Sequence, residues 1–395
     1  MIQKAVILAA GEGRRLKPFT ETMPKVMLPV ANKPILEYVL EALKGSGVRD
    51  IIIVVGYKKE VIQEYFRDRV DIVYVNQDKQ LGTAHALQQA YEYLDESFIV
   101  LPGDNIIDSD SIKKLLEEKN EYALLVKESP QPSKYGVVSI KKSVVSNIVE
   151  KPEEEVSNFI STGIHKFPIE VFRDIDKLTS EGIYDLTTVV QKLLERNVEI
   201  SAITANLWED VVYPWNLIDV NTAMLREKTY SNKKGVIERN VVLKGSISIG
   251  EDTVIHPNSY IVGPVAIGEN CEIGPNACIL PSTTIGDNVT IHPFTEIRES
   301  VIMDEVEVES HSFISNSVLG RGCRVGTGFS TNTGRANIRI EGEFVEVEKI
   351  GSMIGEYTDI GSHVTTLSGV IIGRKCRVNP GSRITHNLPT GSIVM

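Results

Sequence analysis

The chain has 395 residues, 42% hydrophobic and 24% charged, the composition of an ordinary soluble protein that is too long for one compact core. We therefore expect two or three domains, and because the sequence shows neither a basic leader before an apolar stretch nor a run of about 18 apolar residues, we expect no signal peptide, no membrane span and a cytoplasmic location. A formal net charge of −11 without a basic stripe argues against a nucleic-acid partner.

Residues 1–228 alternate short apolar runs with stretches of helical periodicity, which predicts an α/β domain with a mostly parallel, Rossmann-like sheet. The predicted strands are Ala5–Leu8, Ile51–Val55, Ile72–Val75, Phe98–Leu101 and Ala123–Val126. The predicted helices are Ile35–Leu43, Lys59–Phe66, Ala84–Leu94 and Ser111–Glu118. Ligands of such sheets collect beyond the carboxyl ends of the strands, so the residues that follow each strand are the first candidates for chemistry.

The first strand leads into a pattern that favours phosphate binding. It is followed by the small residues Ala10, Gly11 and Gly13, whose backbone N–H groups a ligand can approach closely. The cations that come next are Arg14, Arg15, Lys17 and Lys25. An acidic protein needs such a local cluster to attract anionic substrates. The spacing matches neither the P-loop nor the dinucleotide-binding turn, and a tight turn with solvated charges is the structural alternative.

Polar residues also follow the third and fourth predicted strands. Gln77, Gly82 and Thr83 stand before a helical stretch, where they form either a loop with a helix cap or a set of groups that binds the edge of a base. Gly103 and Asp104 follow the fourth predicted strand, at the same edge of the sheet as the residues after the first strand. A carboxylate at that place is a hard oxygen ligand of the kind that Mg²⁺ prefers.

The first of these segments, LAAGxGxR…PK, resembles the signature of the sugar-1-phosphate nucleotidylyltransferases, which make nucleotide sugars. The resemblance implies that Ala10, Gly11 and Gly13 bind substrate phosphates and that Arg15 and Lys25 are the catalytic cations. The family usually has Thr or Ser at the next position after Gly13, where this chain has Arg, so a hydroxyl contact to the phosphates is not expected there.

The same resemblance assigns the residues around the base and the metal. It implies that Gln77, Gly82 and Thr83 hold the pyrimidine, because the segment QxxxLGTAHAL is similar to the base-binding segment of enzymes that use UTP. It further implies that Asp104 and Asp210, the latter in a W-x-D motif, bind the catalytic Mg²⁺. Asp219 is the alternative second ligand, although it lies in a helical pattern where a solvated or capping charge explains it better.

Two further segments resemble the sugar-binding half of the family. A Tyr-Gly pair ending at Gly136 opens one apolar run and Glu150-Lys151 closes the next, which locally are only turns. The resemblance implies that Gly136 lets the sugar lie against the backbone, that Glu150 accepts from sugar hydroxyls and that Lys151 pairs with the sugar phosphate. Thr162 lies in a matching xTG segment, in which some relatives have Asn in place of Ser161, so the identity of the sugar stays open.

From Ile237 to Ile297 an aliphatic residue recurs at every sixth position. Neither a helix nor an ordinary sheet has this period, whereas a triangular coil of short parallel strands does, with the aliphatic residue inside the prism and a smaller residue two places earlier in the corner. The pattern predicts a left-handed parallel β-helix over 235–395, interrupted over about Thr327–Lys349 by a loop ejected from the prism. The four cysteines lie in this part and are expected to be buried small hydrophobes, not a disulfide or zinc framework.

The combination of the two domains resembles the bifunctional pyrophosphorylase/acetyltransferases, in which a β-helix N-acetylates the amino-sugar phosphate. The resemblance implies UTP or dTTP and a sugar-1-phosphate, with N-acetylglucosamine-1-phosphate favoured, as substrates. It implies acetyl-CoA as a second-domain substrate, His311 as the acetyl-transfer residue, and a homotrimer or dimer of trimers. Three alternatives stay open: a β-helix that only oligomerises, a glucose-1-phosphate thymidylyl- or uridylyltransferase, and a noncatalytic nucleotide-sugar-binding scaffold.

Overall fold

The computed structural model describes residue 2 and residues 4–152, 157–227 and 232–395. These fall into two compact units. The first comprises Met1–Glu12, Met23–Met27 and Ile35–Asp210, and the second comprises Gly13–Thr22, Leu28–Pro34 and Val211–Met395. The domain boundary predicted at residue 228 lies outside the described residues, and the ranges 1–228 and 235–395 stay a prediction.

The described residues between 4 and 227 form thirteen strands and seven α-helices. The strands are β1 Lys4–Ala9, β2 Pro29–Val30, β3 Lys33–Pro34, β4 Asp50–Val55, β5 Ile72–Asn76, β6 Phe98–Pro102, β7 Asn105–Ile107, β8 Ala123–Glu128, β9 Gly136–Lys141, β10 Val144–Glu150, β11 Phe159–Phe167, β12 Ser201–Thr204 and β13 Trp208–Asp210. The helices are α1 Ile35–Ser46, α2 Lys59–Tyr65, α3 Thr83–Gln88, α4 Ser109–Glu117, α5 Val171–Ser180, α6 Leu186–Glu195 and α7 Asn216–Glu227.

The first unit is built on a nine-stranded sheet in the order β5-β4-β1-β6-β11-β8-β12-β10-β9. Strands β5, β4, β1 and β6 are parallel neighbours, and β12 is parallel to β8. Strand β11 runs antiparallel to β6 and β8, and β10 runs antiparallel to β12 and β9. The prediction of an α/β domain with a mostly parallel sheet is therefore confirmed.

The sheet is covered on both faces because its central strands are apolar throughout. Ile7 and its neighbours on one face pack against α1 and α4, including Leu40 and Ile112. Val6 on the opposite face belongs to a second core with α3, α5 and α6, including Ile175. One helix is shorter than the sequence suggested. Instead of continuing to Leu94, α3 ends at Gln88, and i→i+3 hydrogen bonds tighten the chain into a 3₁₀ turn at Tyr91–Tyr93.

Most of the second unit is a coil of short parallel strands that contribute in turn to three sheets of nine, eight and seven strands. The coil strands β14 to β30 are Val236–Ile237, Val242–Lys244, Ile247–Ile249, Val254–Ile255, Tyr260–Val262, Val265–Ile267, Glu272–Ile273, Cys278–Ile279, Thr283–Ile285, Thr290–Ile291, Glu296–Arg298, Val301–Ile302, Glu307–Val308, Phe313–Ser315, Val318–Leu319, Arg324–Val325 and Ser330–Thr331. After an inserted hairpin, the coil resumes with β33 to β39 as Met353–Ile354, Asp359–Ile360, Thr365–Thr366, Ile371–Ile372, Arg377–Val378, Arg383–Ile384 and Ile393–Val394.

The strand register confirms the six-residue period. Ile255 pairs with Ile273, and Ile273 with Ile291, so that three sides of six residues complete each turn of the coil. The recurring aliphatic side chains form one continuous buried core. Ile237 is an exception, with 40% of its surface exposed, because its strand lies at the edge of its sheet and has a neighbouring coil on one side only.

The predicted interruption of the coil is present, but it is a hairpin rather than a loop. Thr331 still lies in a coil strand, and the insertion follows as β31 Gly334–Ile340 and β32 Glu343–Ile350, paired antiparallel. The turn between them has positive φ at Glu341 and Gly342, as a tight hairpin needs.

Three of the four cysteines are buried as predicted, at the corner position two residues before an interior aliphatic residue. The thiols of Cys271, Cys323 and Cys376 each lie within hydrogen-bond distance of a carbonyl oxygen in the next turn of the coil. Cys278 is only partly buried, and all four are free thiols. None of the helices in the described ranges is long and apolar enough to cross a membrane.

Candidate active site

The two predicted metal ligands are brought together by a small sheet of two strands. Strand β13 pairs antiparallel with β7, and in this register Asp210 lies opposite Asn105. Asp104 is the residue before Asn105, at the end of the fourth strand of the main sheet. Two carboxylates that are far apart in the sequence therefore lie side by side within the first unit.

Both carboxylates contact the ammonium group of Lys25. The Lys25 Nζ lies 2.6 Å from Asp104 Oδ2 and 3.1 Å from Asp210 Oδ1, so the two oxygens can be no farther apart than the sum of these distances. Burial alone would lower the pKa of Lys25, but the two carboxylates outweigh it and raise the pKa above its ordinary value. Lys25 is accordingly a permanent cation at neutral pH.

This arrangement suits a hard divalent cation. Two carboxylates that converge on one point of positive charge supply the oxygen ligands that Mg²⁺ prefers, and Mg²⁺ keeps several water or phosphate ligands in addition to one or two from the protein. Asp219, the alternative ligand, lies in the second unit in the first turn of α7, where Asn216 Nδ2 donates to its Oδ2 at 3.4 Å. Its side chain is exposed, which agrees with a solvated charge.

Gly103 is required by the close approach of two strands. A Cβ atom there would lie 3.1 Å from Ile7 Cγ2 and 3.2 Å from both Leu8 O and Val26 Cγ1. Its backbone N–H donates to Leu8 O at 2.9 Å, which ties the Asp104 turn to the end of β1. A side chain at this position would require these neighbours to shift by a few tenths of an ångström.

The buried Asn105, which the sequence did not single out, fixes the far side of this turn. Its Nδ2 donates to the carbonyl oxygen of Thr162 at 2.9 Å. Thr162 is itself held by its hydroxyl, which donates to Leu125 O at 2.8 Å. Thr162 thus connects the turn that carries Asp104 to β8. The position of Asn105 directly after a Gly-Asp pair was the signal available in the sequence.

The signature segment starts in the first unit and continues in the second. Ala10 is buried, and its carbonyl accepts from Tyr57 N at 3.1 Å, whereas a Cβ atom at Gly11 would meet nothing within 4 Å. Gly13 has φ +67° and precedes a 3₁₀ turn at Arg14–Leu16 that carries Arg15. This left-handed conformation explains the glycine.

The predicted base-binding residues lie together beyond the end of β5. The Gln77 amide nitrogen donates to Gly82 O at 3.1 Å and lies 2.9 Å from His85 Nδ1, which leaves the Gln77 carbonyl oxygen as the group that can accept from a ligand. A Cβ atom at Gly82 would lie 2.4 Å from Tyr184 O. The Thr83 hydroxyl accepts from Leu186 N at 2.9 Å and so positions α6.

The predicted sugar-binding residues lie on the paired strands β9 and β10. Gly136 is opposite Glu150, and a Cβ atom at Gly136 would lie 3.2 Å from Glu150 Oε2. The same carboxylate oxygen accepts from Thr187 Oγ1 at 3.2 Å, a contact that the sequence did not suggest. Lys151 follows with φ +43°, and its side chain is exposed.

His311 occupies a corner of the coil in the second unit. Its ring stacks on that of Phe294, with centroids 5.1 Å apart and planes inclined by 6°. Nearby along the chain, Asn316 Nδ2 donates to Glu299 Oε2 at 2.6 Å, and Lys349, from the end of the inserted hairpin, pairs with the same oxygen. The exposed imidazole therefore stacks on the Phe294 ring, close in sequence to the polar contact between Asn316 and Glu299.

The chain combines a nucleotidyltransferase domain with a parallel β-helix. The sequence profile described as "Nucleotidyl transferase" matches residues 4–227, and the one described as "GMPPB C-terminal domain" matches residues 261–350. "Bifunctional protein GlmU" of Methanococcus maripaludis is 42% identical over 99% of this chain and 96% of its own length.

A second full-length relative agrees. The "Bifunctional sugar-1-phosphate nucleotidylyltransferase/acetyltransferase" of Sulfurisphaera tokodaii is 35% identical over 98% of both chains. A solved Bacillus anthracis structure, described as a glucose-1-phosphate thymidylyltransferase with a sucrose, matches with a TM-score of 0.53 and 27% identity over 58% of this chain and 97% of that one. The chain belongs to the GlmU-type family of bifunctional sugar-1-phosphate nucleotidylyltransferase/acetyltransferases.

Proposed function

We propose that the first activity of this protein is transfer of a nucleotidyl group from UTP, or from dTTP, to a sugar-1-phosphate, with N-acetylglucosamine-1-phosphate as the preferred acceptor. The second activity is transfer of the acetyl group of acetyl-CoA to glucosamine-1-phosphate on the β-helix. Full-length similarity to relatives described as bifunctional supports both activities. The observation that carries the first is the convergence of Asp104 and Asp210 on Lys25.

In the nucleotidyl transfer, an oxygen of the sugar-1-phosphate attacks the α-phosphorus, and the bond to pyrophosphate breaks. The attacking phosphate is already ionised at neutral pH, so the chain needs no general base. Lys25 and Arg15 stabilise the negative charge that develops on the α-phosphate and the departing pyrophosphate. Mg²⁺, held by Asp104 and Asp210, would supply further neutralisation of phosphate charge.

Pyrophosphate release tests this assignment directly. We expect release when UTP, N-acetylglucosamine-1-phosphate and Mg²⁺ are mixed with the protein, and loss of nearly all release in the folded Asp104→Asn variant. Asp219→Asn is the matched control and should retain the activity. Near-normal release by Asp104→Asn would remove this residue from the mechanism.

The base is proposed to be a pyrimidine. The Gln77 carbonyl oxygen can accept from the N3–H of uracil or thymine, because the amide nitrogen is already engaged by Gly82 and His85. A panel of UTP, dTTP, CTP, ATP and GTP tests this point. Turnover confined to UTP and dTTP supports it, and equal turnover of a purine nucleotide contradicts it.

A second candidate acceptor is glucose-1-phosphate. The solved thymidylyltransferase from Bacillus anthracis favours it, as does Ser161, which stands where some relatives carry Asn. The Ser161 hydroxyl accepts from Gly163 N at 3.2 Å and is therefore partly used within the chain. Comparison of kcat/KM for the two sugar phosphates decides between them.

For the acetyl transfer we assign His311 as the residue that removes a proton from the attacking amine. Its exposed ring, held by stacking on Phe294, can reach a bound substrate. His311→Ala should abolish acetyl-CoA consumption with glucosamine-1-phosphate while pyrophosphate release continues.

We further propose that the β-helix assembles a trimer or dimer of trimers, and that the protein works in the cytoplasm, where nucleoside triphosphates and acetyl-CoA occur.

A further inference from the structure

Three side chains that neither proposed activity uses come together on one sheet of the coil. They are His292, Glu307 and Glu309, and within the described part of the chain one potential ligand atom from each lies within 4.8 Å of the others. All three are partly exposed, so that solvent and ions can reach them.

The backbone of the coil sets this arrangement. Ile291 pairs with Val308, which places His292 beside Glu309 on the neighbouring strand, and His292 N donates to Val308 O at 2.9 Å. Glu307 and Glu309 flank Val308 and therefore project on the same side of their strand. One imidazole and two carboxylates are thus presented by two rigidly paired strands.

Both carboxylates approach the same ring nitrogen. The His292 Nε2 lies 3.5 Å from Glu307 Oε1 and 3.9 Å from Glu309 Oε1. The second oxygen of Glu307 lies 3.5 Å from Arg324 Nε. Ligand bonds of about 2.0–2.2 Å to an ion between these atoms need only small side-chain movements.

A second histidine on the same sheet provides an internal comparison. The His256 Nδ1 lies 3.2 Å from Glu238 Oε2, whereas its Nε2 lies 3.9 Å from Glu272 Oε2. These two carboxylates approach different ring nitrogens, so they do not converge on one nitrogen. At His292, in contrast, both carboxylates approach the same ring nitrogen.

We propose that His292, Glu307 and Glu309 bind a divalent transition-metal ion of the Zn²⁺ and Co²⁺ class, with water completing the coordination. Imidazole nitrogen with two carboxylates suits these ions, whereas Mg²⁺ prefers oxygen ligands alone. The ion would join two successive turns of the coil beside the corner that carries His311. This site shares no residue with the aspartate pair, and the proposal does not depend on the proposed function.

Cobalt titration tests the site. Metal-free protein is titrated with Co²⁺ in a large excess of Mg²⁺, which occupies the carboxylate site of Asp104 and Asp210, and visible absorption and bound cobalt are measured. We expect one absorbing Co²⁺ per chain in the wild type and in His256→Ala, and loss of that ion in His292→Ala. Equal cobalt content and an unchanged spectrum in His292→Ala would overturn the proposal.

Glu309→Gln keeps the test decisive if His292→Ala does not fold. This substitution preserves the shape of a partly exposed side chain and removes one charged ligand. We expect its Co²⁺ affinity to fall at least tenfold while the unfolding temperature without metal stays unchanged. An affinity equal to that of the wild type would count against the site.

Discussion

The hydroxyl of Thr22 donates a hydrogen bond to the carboxylate of Glu356, although the two residues are 334 positions apart in the sequence. Glu356 is buried in the coil, with Arg374 Nη2 3.9 Å away. Next to this contact, the Thr390 hydroxyl donates to Glu21 at 3.0 Å. The segment that carries Arg15 is therefore fastened to late turns of the coil, within the same compact unit.

Removal of this contact should destabilise the second unit. Thr22→Val keeps the shape of the side chain but leaves a buried carboxylate without its donor, so we expect the free energy of unfolding to fall by about 2 kcal/mol. Thr22→Ser retains the hydroxyl and is the control. Denaturant unfolding measures both, and equal stability of the two variants would show that the hydrogen bond contributes little.

Lys25→Ala should lower kcat for nucleotidyl transfer at least tenfold, or about 1.4 kcal/mol of barrier. The physical reason is that the two aspartates and the phosphates lose the cation between them. Lys25→Arg keeps the charge but cannot place it at one point between both carboxylates, so an intermediate rate is expected. Steady-state pyrophosphate release gives the measurement, and a rate for Lys25→Ala within a factor of two of the wild type would contradict this role.

Gly82→Ala should disturb the segment that is predicted to bind the base. The new Cβ atom would lie 2.4 Å from Tyr184 O, a backbone atom that cannot move without shifting the start of α6. We expect a loss of about 1–3 kcal/mol in stability, together with a raised KM for UTP. Gly11→Ala, where the added carbon meets nothing within 4 Å, is the matched control for folding. Equal unfolding midpoints for the two variants would contradict the close approach of Gly82 to the Tyr184 carbonyl oxygen.

Acid should destabilise the first unit through His165. Burial lowers the pKa of this histidine from 6.5 to about 4, and among the described residues its Nδ1 has no hydrogen-bond partner. The histidine of the unfolded chain therefore takes up a proton near pH 6.5, whereas that of the folded chain stays neutral at this pH. The contribution of His165 is fully present above pH 6.5 and is lost as the pH falls toward 4, by about 2 kcal/mol at pH 5.

The variant His165→Leu isolates this effect. Its free energy of unfolding should depend less on pH between 6.5 and 4 than that of the wild type, because the titrating group is gone. The same slope in wild type and His165→Leu would assign the acid sensitivity to other groups.

Most of the architecture could be predicted from local patterns. The strands around Ile7 and Val54 and the six-residue repeat around Ile273 are set by side-chain periodicity, which a single sequence displays. The aspartate pair could be predicted only from the family resemblance. The pairing of β13 with β7, which brings Asp210 beside Asp104, is a long-range contact without a local signal in the sequence.

Other contacts were missed for the same reason. The hydrogen bond from Thr22 to Glu356 and that from Asn105 to Thr162 each join segments that no periodicity relates. The inserted hairpin differs from the predicted loop because the break in the six-residue pattern is more conspicuous in the sequence than the two-residue alternation inside it. Long-range pairing, rather than local propensity, decided each of these cases.

The central claim is that Asp104 and Asp210 hold one divalent cation beside Lys25. Binding of Mn²⁺, a paramagnetic substitute for Mg²⁺, measured by electron paramagnetic resonance in the presence of UTP, tests it most directly. We predict that Asp104→Asn and Asp210→Asn each weaken this binding at least tenfold, whereas Asp219→Asn binds as the wild type does. Wild-type Mn²⁺ affinity in Asp210→Asn would contradict the account.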